Sequence, residues 1–269
     1  MQEKYLIIPR SKDLNEYTNT GFISFILPLE SYSIGYDVYF NIDEINLLSK
    51  KYNIHVMVNR FLHQKVDDFR KIYPKFNENI KFIVEDIGLT DVIDKDRLVL
   101  FENHIESNCK SINFLHELGY KNIVLNNDLT IKEIIDIKNS TKSILYFFLI
   151  TRNTLLYSRR SLISNYKENY NIKSNDKRYH LNEKVSNVQL EINEENDGTT
   201  IKTIKLFSGN KYINELESID YLIIDTTSMS NLELKVTLER YNDSELINIL
   251  DTDYYFLEND IKYKVGDIK

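Results

Sequence analysis

Arg159 and Arg160 stand side by side in the stretch Leu155–Tyr166, LLYSRRSLISNY, two residues after Tyr157. A guanidinium carries a rigid fork of N–H donors that matches a phosphate or a carboxylate, so an adjacent pair can clamp an anion. On this reading Tyr157 and Tyr166 form walls and Asn165 is an orienting amide. The alternative for the two tyrosines is structural, because an aromatic ring in a loop commonly anchors it to the core. Arg152 follows an apolar run just upstream, and His104 and Asn59 would add polar contacts from opposite strands.

Other polar residues follow apolar runs in the same way: Glu85, Asp86, Glu102, Asn103, Asn126, Asn127 and Asp225. Carboxylates such as Asp86, Glu102 and Asp225 can act in pairs as acid and base, and His104 can carry a proton. Asp and Asn are equally favoured as helix caps wherever a strand hands over to a helix, and spacing alone names no catalytic set. His55, His63, His104, His116 and His180 form no HExxH or comparable pattern, so no metal site is expected. There is no GxSxG elbow or Walker loop. Cys109 is the only cysteine, which excludes an internal disulfide and, within this chain alone, an iron–sulfur cluster or multi-thiolate zinc. It lies beside helix-periodic Ile112, Leu115 and Leu118 and reads as a packed small side chain, with a catalytic thiolate as the alternative. No cofactor is expected.

Elements that would position these groups recur along the chain. Short β-branched runs mark strands at Tyr5–Pro9, Phe22–Leu27, His55–Asn59, Lys81–Asp86, Leu98–Glu102, Asn122–Asn126, Ile144–Leu149 and Tyr221–Asp225. Amphipathic stretches lie between them, such as Ile42, Ile45, Leu47 and Leu48, or Ile131, Ile134, Ile135 and Ile137 after the cap region at Asp128 and Thr130. Such alternation, without a glycine-rich phosphate loop, predicts an α/β fold: a closed (β/α)8 TIM-like barrel rather than a dinucleotide-binding sheet. Reactive groups in that fold sit at the C-terminal ends of the strands. The rhythm breaks over 151–207, which reads as an inserted arm between strands 7 and 8. It carries a β-hairpin of Val188–Ile192 and Ile201–Phe207, turned at Asn196-Asp197-Gly198.

With 269 residues, 42% of them hydrophobic, the chain can bury one sizeable core, and 1–269 is read as a single barrel domain. The net charge of −7 argues against a general polyanion binder. Thr151–Lys184 is the exception, with eight basic residues against three acidic, either a solvated loop or an anion site open to local RNA contact. Apolar runs such as Ile144–Ile150 are far shorter than the roughly 20 residues of a spanning helix, so no membrane contact is expected and a cytoplasmic protein is.

Several segments, taken in order, resemble short members of the peptidase family U32. LLYSRRSLISNY resembles the segment after the penultimate strand of such members. LESYSIGYDVYFNIDEI (Leu29–Ile45), HVMVNRFLH (His55–His63) and FENHIESNCKSINFLHELGYKNIVLNNDLTIKEI (Phe101–Ile134) agree in order. DGTTIKTIKLFSGNKYINEL (Asp197–Leu216) resembles the family's acidic-Gly-Thr hairpin, and YYFLENDIKYKV (Tyr254–Val265) its tail. The resemblance implies a barrel and two activities: proteolysis of collagen-like substrates, or oxygen-independent hydroxylation of tRNA wobble uridine, ribosomal RNA or a quinone precursor. In hydroxylating members four cysteines hold an iron–sulfur cluster. Around the corresponding motif this chain has Tyr157, Ser158, Arg159, Arg160, Ser161 and Ser164. Similarity to short, cysteine-poor members implies an accessory or degenerate subunit acting beside a cluster-bearing paralogue, in tRNA wobble-uridine hydroxylation. A peptidase and a non-catalytic barrel binding an anion or small molecule are the competing expectations.

Overall fold

The computed structural model describes residues 2–101, 108–182 and 189–258. Its strands are β1 (Tyr5–Ile8), β2 (Ser24–Pro28), β3 (Asn53–Val58), β4 (Lys81–Val84), β5 (Leu98–Leu100), β6 (Asn122–Val124), β7 (Ile144–Thr151), β8 (Thr154–Ser158), β9 (Arg178–Asn182), β10 (Gln189–Glu195), β11 (Gly198–Thr203), β12 (Leu206–Ser208), β13 (Tyr221–Asp225) and β14 (Thr252–Asp253). The helices are α1 (Asn15–Thr18), α2 (Ile42–Leu48), α3 (Val66–Ile72), α4 (Cys109–Glu117), α5 (Ile131–Ser140), α6 (Leu162–Asn169), α7 (Ile213–Leu216), α8 (Asn231–Arg240) and α9 (Leu246–Ile249).

β1 to β7 pair in sequence order, all parallel, and β13 pairs with both β1 and β7 to close an eight-stranded barrel. The pleat explains how it fills. Leu6 and Ile8 of β1, Ile26 of β2, Met57 of β3 and Ile223 of β13 belong to one buried cluster inside the barrel, while the alternate residues Ile7, Phe25, Val56 and Ile224 join the larger cluster under the helices. A strand buried on both faces reads as a continuous apolar run, and for that reason these strands are visible in the sequence.

Helix starts are set by side-chain caps. Asn41 with Glu44, Thr130 with Glu133 and Ser230 with Glu233 form capping boxes at α2, α5 and α8. Several strands stop earlier than their apolar runs suggest, because the next residues turn. Asp86 accepts from the backbone N–H groups of Gly88 (2.9 Å) and Leu62 (2.7 Å), and Asn126 accepts from that of Asp128 (3.1 Å).

Between β7 and β13 lies a four-stranded antiparallel sheet in the order β8-β11-β10-β9. Glu195 pairs with Gly198 across Asn196-Asp197. The stretch Ile201–Phe207 is divided: β11 ends at Thr203, and Leu206–Ser208 leaves the small sheet to pair antiparallel with the end of β7. A register shift at Ile201/Lys202 bends the strand, and Arg152 Nε donates to Ile204 O (2.9 Å) at the corner. Val188, part of the expected first segment, lies outside the described residues. No helix among the described residues is long and apolar enough to cross a membrane.

Candidate functional site

The mouth of the barrel, at the C-terminal ends of its strands, holds a cleft of about 440 Å³. That volume suits a small molecule. Its walls come from strand ends (Asn59 after β3, Glu85 after β4, Asn126 after β6, Thr151 of β7, Asp225 of β13), from the corner Arg152-Asn153 and from Lys202 of the small sheet. Aromatic rings of Tyr36, Phe101, Phe148, Tyr255 and Phe256 complete it. A barrel whose loops enclose such a pocket defines the class: an α/β barrel with its working face at the strand C-termini.

The loop between β2 and α2 builds one side. The Ser33 hydroxyl donates to Met57 O (2.6 Å) and accepts from the backbone N–H of Leu29 (3.0 Å), folding the loop over β3. Asn59 fixes it further, its Oδ1 accepting from Ile34 N (2.9 Å) and its Nδ2 donating to Ile34 O (3.1 Å). Both ends of that amide are therefore committed to the loop, and Asn59 shapes the wall. Tyr36 is thereby set against the barrel's inner apolar cluster. Burial, with Asp225, Glu85 and Tyr39 nearby, pushes its hydroxyl well above the usual phenol range, so it stays protonated.

Across the mouth, Asp225 is buried at 5% exposure and accepts from Thr227 N (2.9 Å) and the Thr151 hydroxyl (3.3 Å). Arg152 Nη2 donates to Glu233 Oε1 (2.7 Å), while its Nη1 is buried without a hydrogen-bond partner. Burial works to raise the Glu233 carboxyl, but the backbone N–H of Ser230 and the charge of Arg152 outweigh it and hold it below its ordinary range. Lys202, 9% exposed, donates to Gly35 O (2.5 Å) and lies over the Tyr36 ring at 5.4 Å. Asn127 Nδ2 donates to Asn153 Oδ1 (2.9 Å), leaving Asn127 Oδ1 buried and unpaired. This wall offers donors, acceptors and rings, which is the equipment of a binding site.

Of the anticipated site residues, Asn59 and Arg152 line the cleft, and His104 lies outside the described residues. Tyr157, Arg159, Arg160, Asn165 and Tyr166 are elsewhere, on β8, the turn after it and α6. Tyr157 stacks on Phe61 (5.6 Å between centroids) and donates to Asp197 O (3.3 Å), tying the small sheet to the barrel. Arg159, Arg160, Asn165 and Tyr166 are exposed, and Tyr166 packs on Tyr170. Of the other anticipated strand-end groups, Glu85, Asn126, Asn127 and Asp225 reach the cleft, Asp86 caps a turn, and Glu102 and Asn103 are outside the described residues. Tyr36, Lys202, Tyr255 and Phe256 were missed. Lys202 alone carried a signal, a lysine in an alternating strand beside Ile201.

The iron–sulfur cluster of hydroxylating members does not fit the donors here. Ser161 and Ser164 offer hydroxyls, and Cys109 opens α4 on the barrel's flank. Among the described residues no group of three or more His, Cys, Asp or Glu side chains is placed to hold a metal ion.

The family model for peptidase family U32 matches residues 42–244, most of the barrel together with the small sheet. The chain belongs to peptidase family U32. No curated protein and no solved structure matches it.

Proposed function

We propose that this protein is a cluster-free accessory barrel that binds a small polar ligand at its mouth and serves a cluster-bearing relative in tRNA wobble-uridine hydroxylation. The observation that carries the reading is the cleft, where amides, aromatic rings and two cations converge without a thiolate set. Such a site can bind and orient, while electron transfer would fall to a partner. The exposed arginines Arg159 and Arg160 follow β8, whose first residues Thr154 and Leu155 line the cleft. They offer forked donors to phosphates outside the mouth.

Nucleoside mass spectrometry of bulk tRNA from host cells with and without the gene tests this reading. Loss of hydroxylated uridine derivatives in the deletion strain is expected, as is failure of an Arg159→Ala/Arg160→Ala variant to restore them. An unchanged nucleoside profile overturns it. The cleft carboxylates Glu85, Asp128 and Asp225 favour a second reading, peptide hydrolysis with one of them activating water. Cleavage of a gelatin substrate by the purified protein, abolished in Asp225→Asn, would establish that instead.

A further inference from the structure

Lys202 projects from the small sheet into the wall of the barrel mouth, where no carboxylate among the described residues pairs with it. Among the described residues its ammonium has no carboxylate within ion-pairing distance; it holds Gly35 O and covers a ring. Glu85, Asp128 and Asp225 share the cleft with Lys202, yet none forms an ion pair with it. Glu195, on the neighbouring strand, accepts from Gly35 N (3.1 Å) and the Tyr39 hydroxyl (2.5 Å), and Asp225 accepts from Thr227 and Thr151. A buried cation without a counter-ion is costly, and a single backbone carbonyl uses one of three ammonium donors. The same corner holds a second unused cationic donor. Lys202 is the cross-strand partner of Thr154, two residues after Arg152, whose Nη1 is buried and unpaired.

We propose that Lys202, assisted by Arg152, receives an oxyanion, so that the ligand of the cleft carries a phosphate or a carboxylate. This deepens the reading of the mouth as a ligand site and rests on it. Bound there, the anion takes the remaining Lys202 donors, while Tyr36 and the other rings cover the rest of the ligand.

The test is calorimetric titration of the purified full chain with inorganic phosphate, with malonate, and with uridine and uridine 5′-monophosphate as a matched pair. Phosphate or malonate is expected to bind the wild type and to lose roughly tenfold or more in affinity in Lys202→Met, as removal of a charge-assisted hydrogen bond requires. Lys202→Arg keeps the charge and recovers part of the affinity, which separates loss of the site from loss of the fold. Binding of phosphate alone identifies a phosphoryl ligand, and of malonate alone a carboxylate ligand. Failure of both to bind the wild type overturns the proposal, as does affinity unchanged in Lys202→Met, and loss in Arg159→Ala/Arg160→Ala would then place the anion outside the mouth. Equal affinity for uridine and its monophosphate excludes a uridine phosphate as that ligand. An unchanged tRNA profile alongside Lys202-dependent anion binding would remove the RNA reading and leave this site standing; altered tRNA without anion binding would do the reverse.

Discussion

The barrel and the small sheet are built on different physics, although one chain runs through both. Barrel strands are buried on both faces, and apolar contact holds them; β3 reads Asn53 to Val58 with five consecutive buried residues. In the small sheet β9 is mostly exposed, and polar links hold the assembly: Lys177 with Glu194 and Ser164, Arg178 with Glu191 (2.9 Å), Arg60 with Asp197 (2.7 Å) and Tyr39 with Glu195. Apolar burial scales with area and tolerates small shifts, whereas each polar link depends on geometry and on protonation. The small sheet is the part of the molecule that single changes should release.

Acid should reverse that ranking first. His55, inside the barrel near its base, accepts or donates at 3.2 Å to the Tyr146 hydroxyl, and burial, with a smaller push from Lys81, drives its pKa down to about 3. Its folded-state pKa lies below the unfolded value of 6.5, so stability is complete above pH ~6.5 and falls as pH drops towards 3. The loss amounts to on the order of 3 kcal/mol by pH 4. Urea titrations between pH 7 and 4 check this, and His55→Phe should flatten the dependence. An equal slope in His55→Phe would assign the acid sensitivity elsewhere.

Gly198→Ala is expected to cost about 3 kcal/mol, confined to the small sheet. Its φ of +143° is a glycine conformation, and an added Cβ would stand 2.3 Å from Ser158 O. Hydrogen exchange should quicken across β8 to β11 while β1 to β6 keep their protection. Glu194→Gln comes next, at about 2 kcal/mol. Burial opposes its ionisation, but Lys177 and the hydroxyl and N–H of Ser164 hold its carboxyl at about 2. That stability is present above pH ~4.5 and disappears as pH falls through 2, so the variant's deficit at pH 7 should narrow in acid. Asn59→Ala should cost about 1 kcal/mol per lost loop bond, read as a lower urea midpoint. The smallest change is for Arg159→Ala/Arg160→Ala, within about 0.5 kcal/mol of wild type, since both side chains are exposed. A large destabilisation there would mean that the arginines support the small sheet.

The same contrast governs what could be read before the fold was known. Ile144 to Ile150 or Tyr221 to Asp225 can be recognised as strands because burial on both faces demands apolar residues throughout. Strand-end residues that line the cleft, such as Glu85, Asn126 and Asp225, were legible because barrel geometry assigns them to the mouth. Lys202 stood out only as a lysine in an alternating strand, and its place in the cleft was hidden, because only a sheet folded back over the barrel brings it there. Tyr36 and Tyr255 were equally hidden, since a tyrosine in a loop carries no mark of which surface it will cover. Arg159 and Arg160 drew attention through their adjacency, a local property, while their position outside the cleft depends on where β8 leads, with only its first residues lining the mouth.

Closure by β13 has a consequence for synthesis. β1 and β7 acquire their shared neighbour only through residues 221–225, after the whole excursion from Thr151 has been made. A ribosome adding roughly 5–20 residues per second needs several seconds to cover that distance. During this time two strand edges of a nascent sheet stand open, so a chaperone that shields unpaired strands should raise the yield of this protein more than one that acts after release.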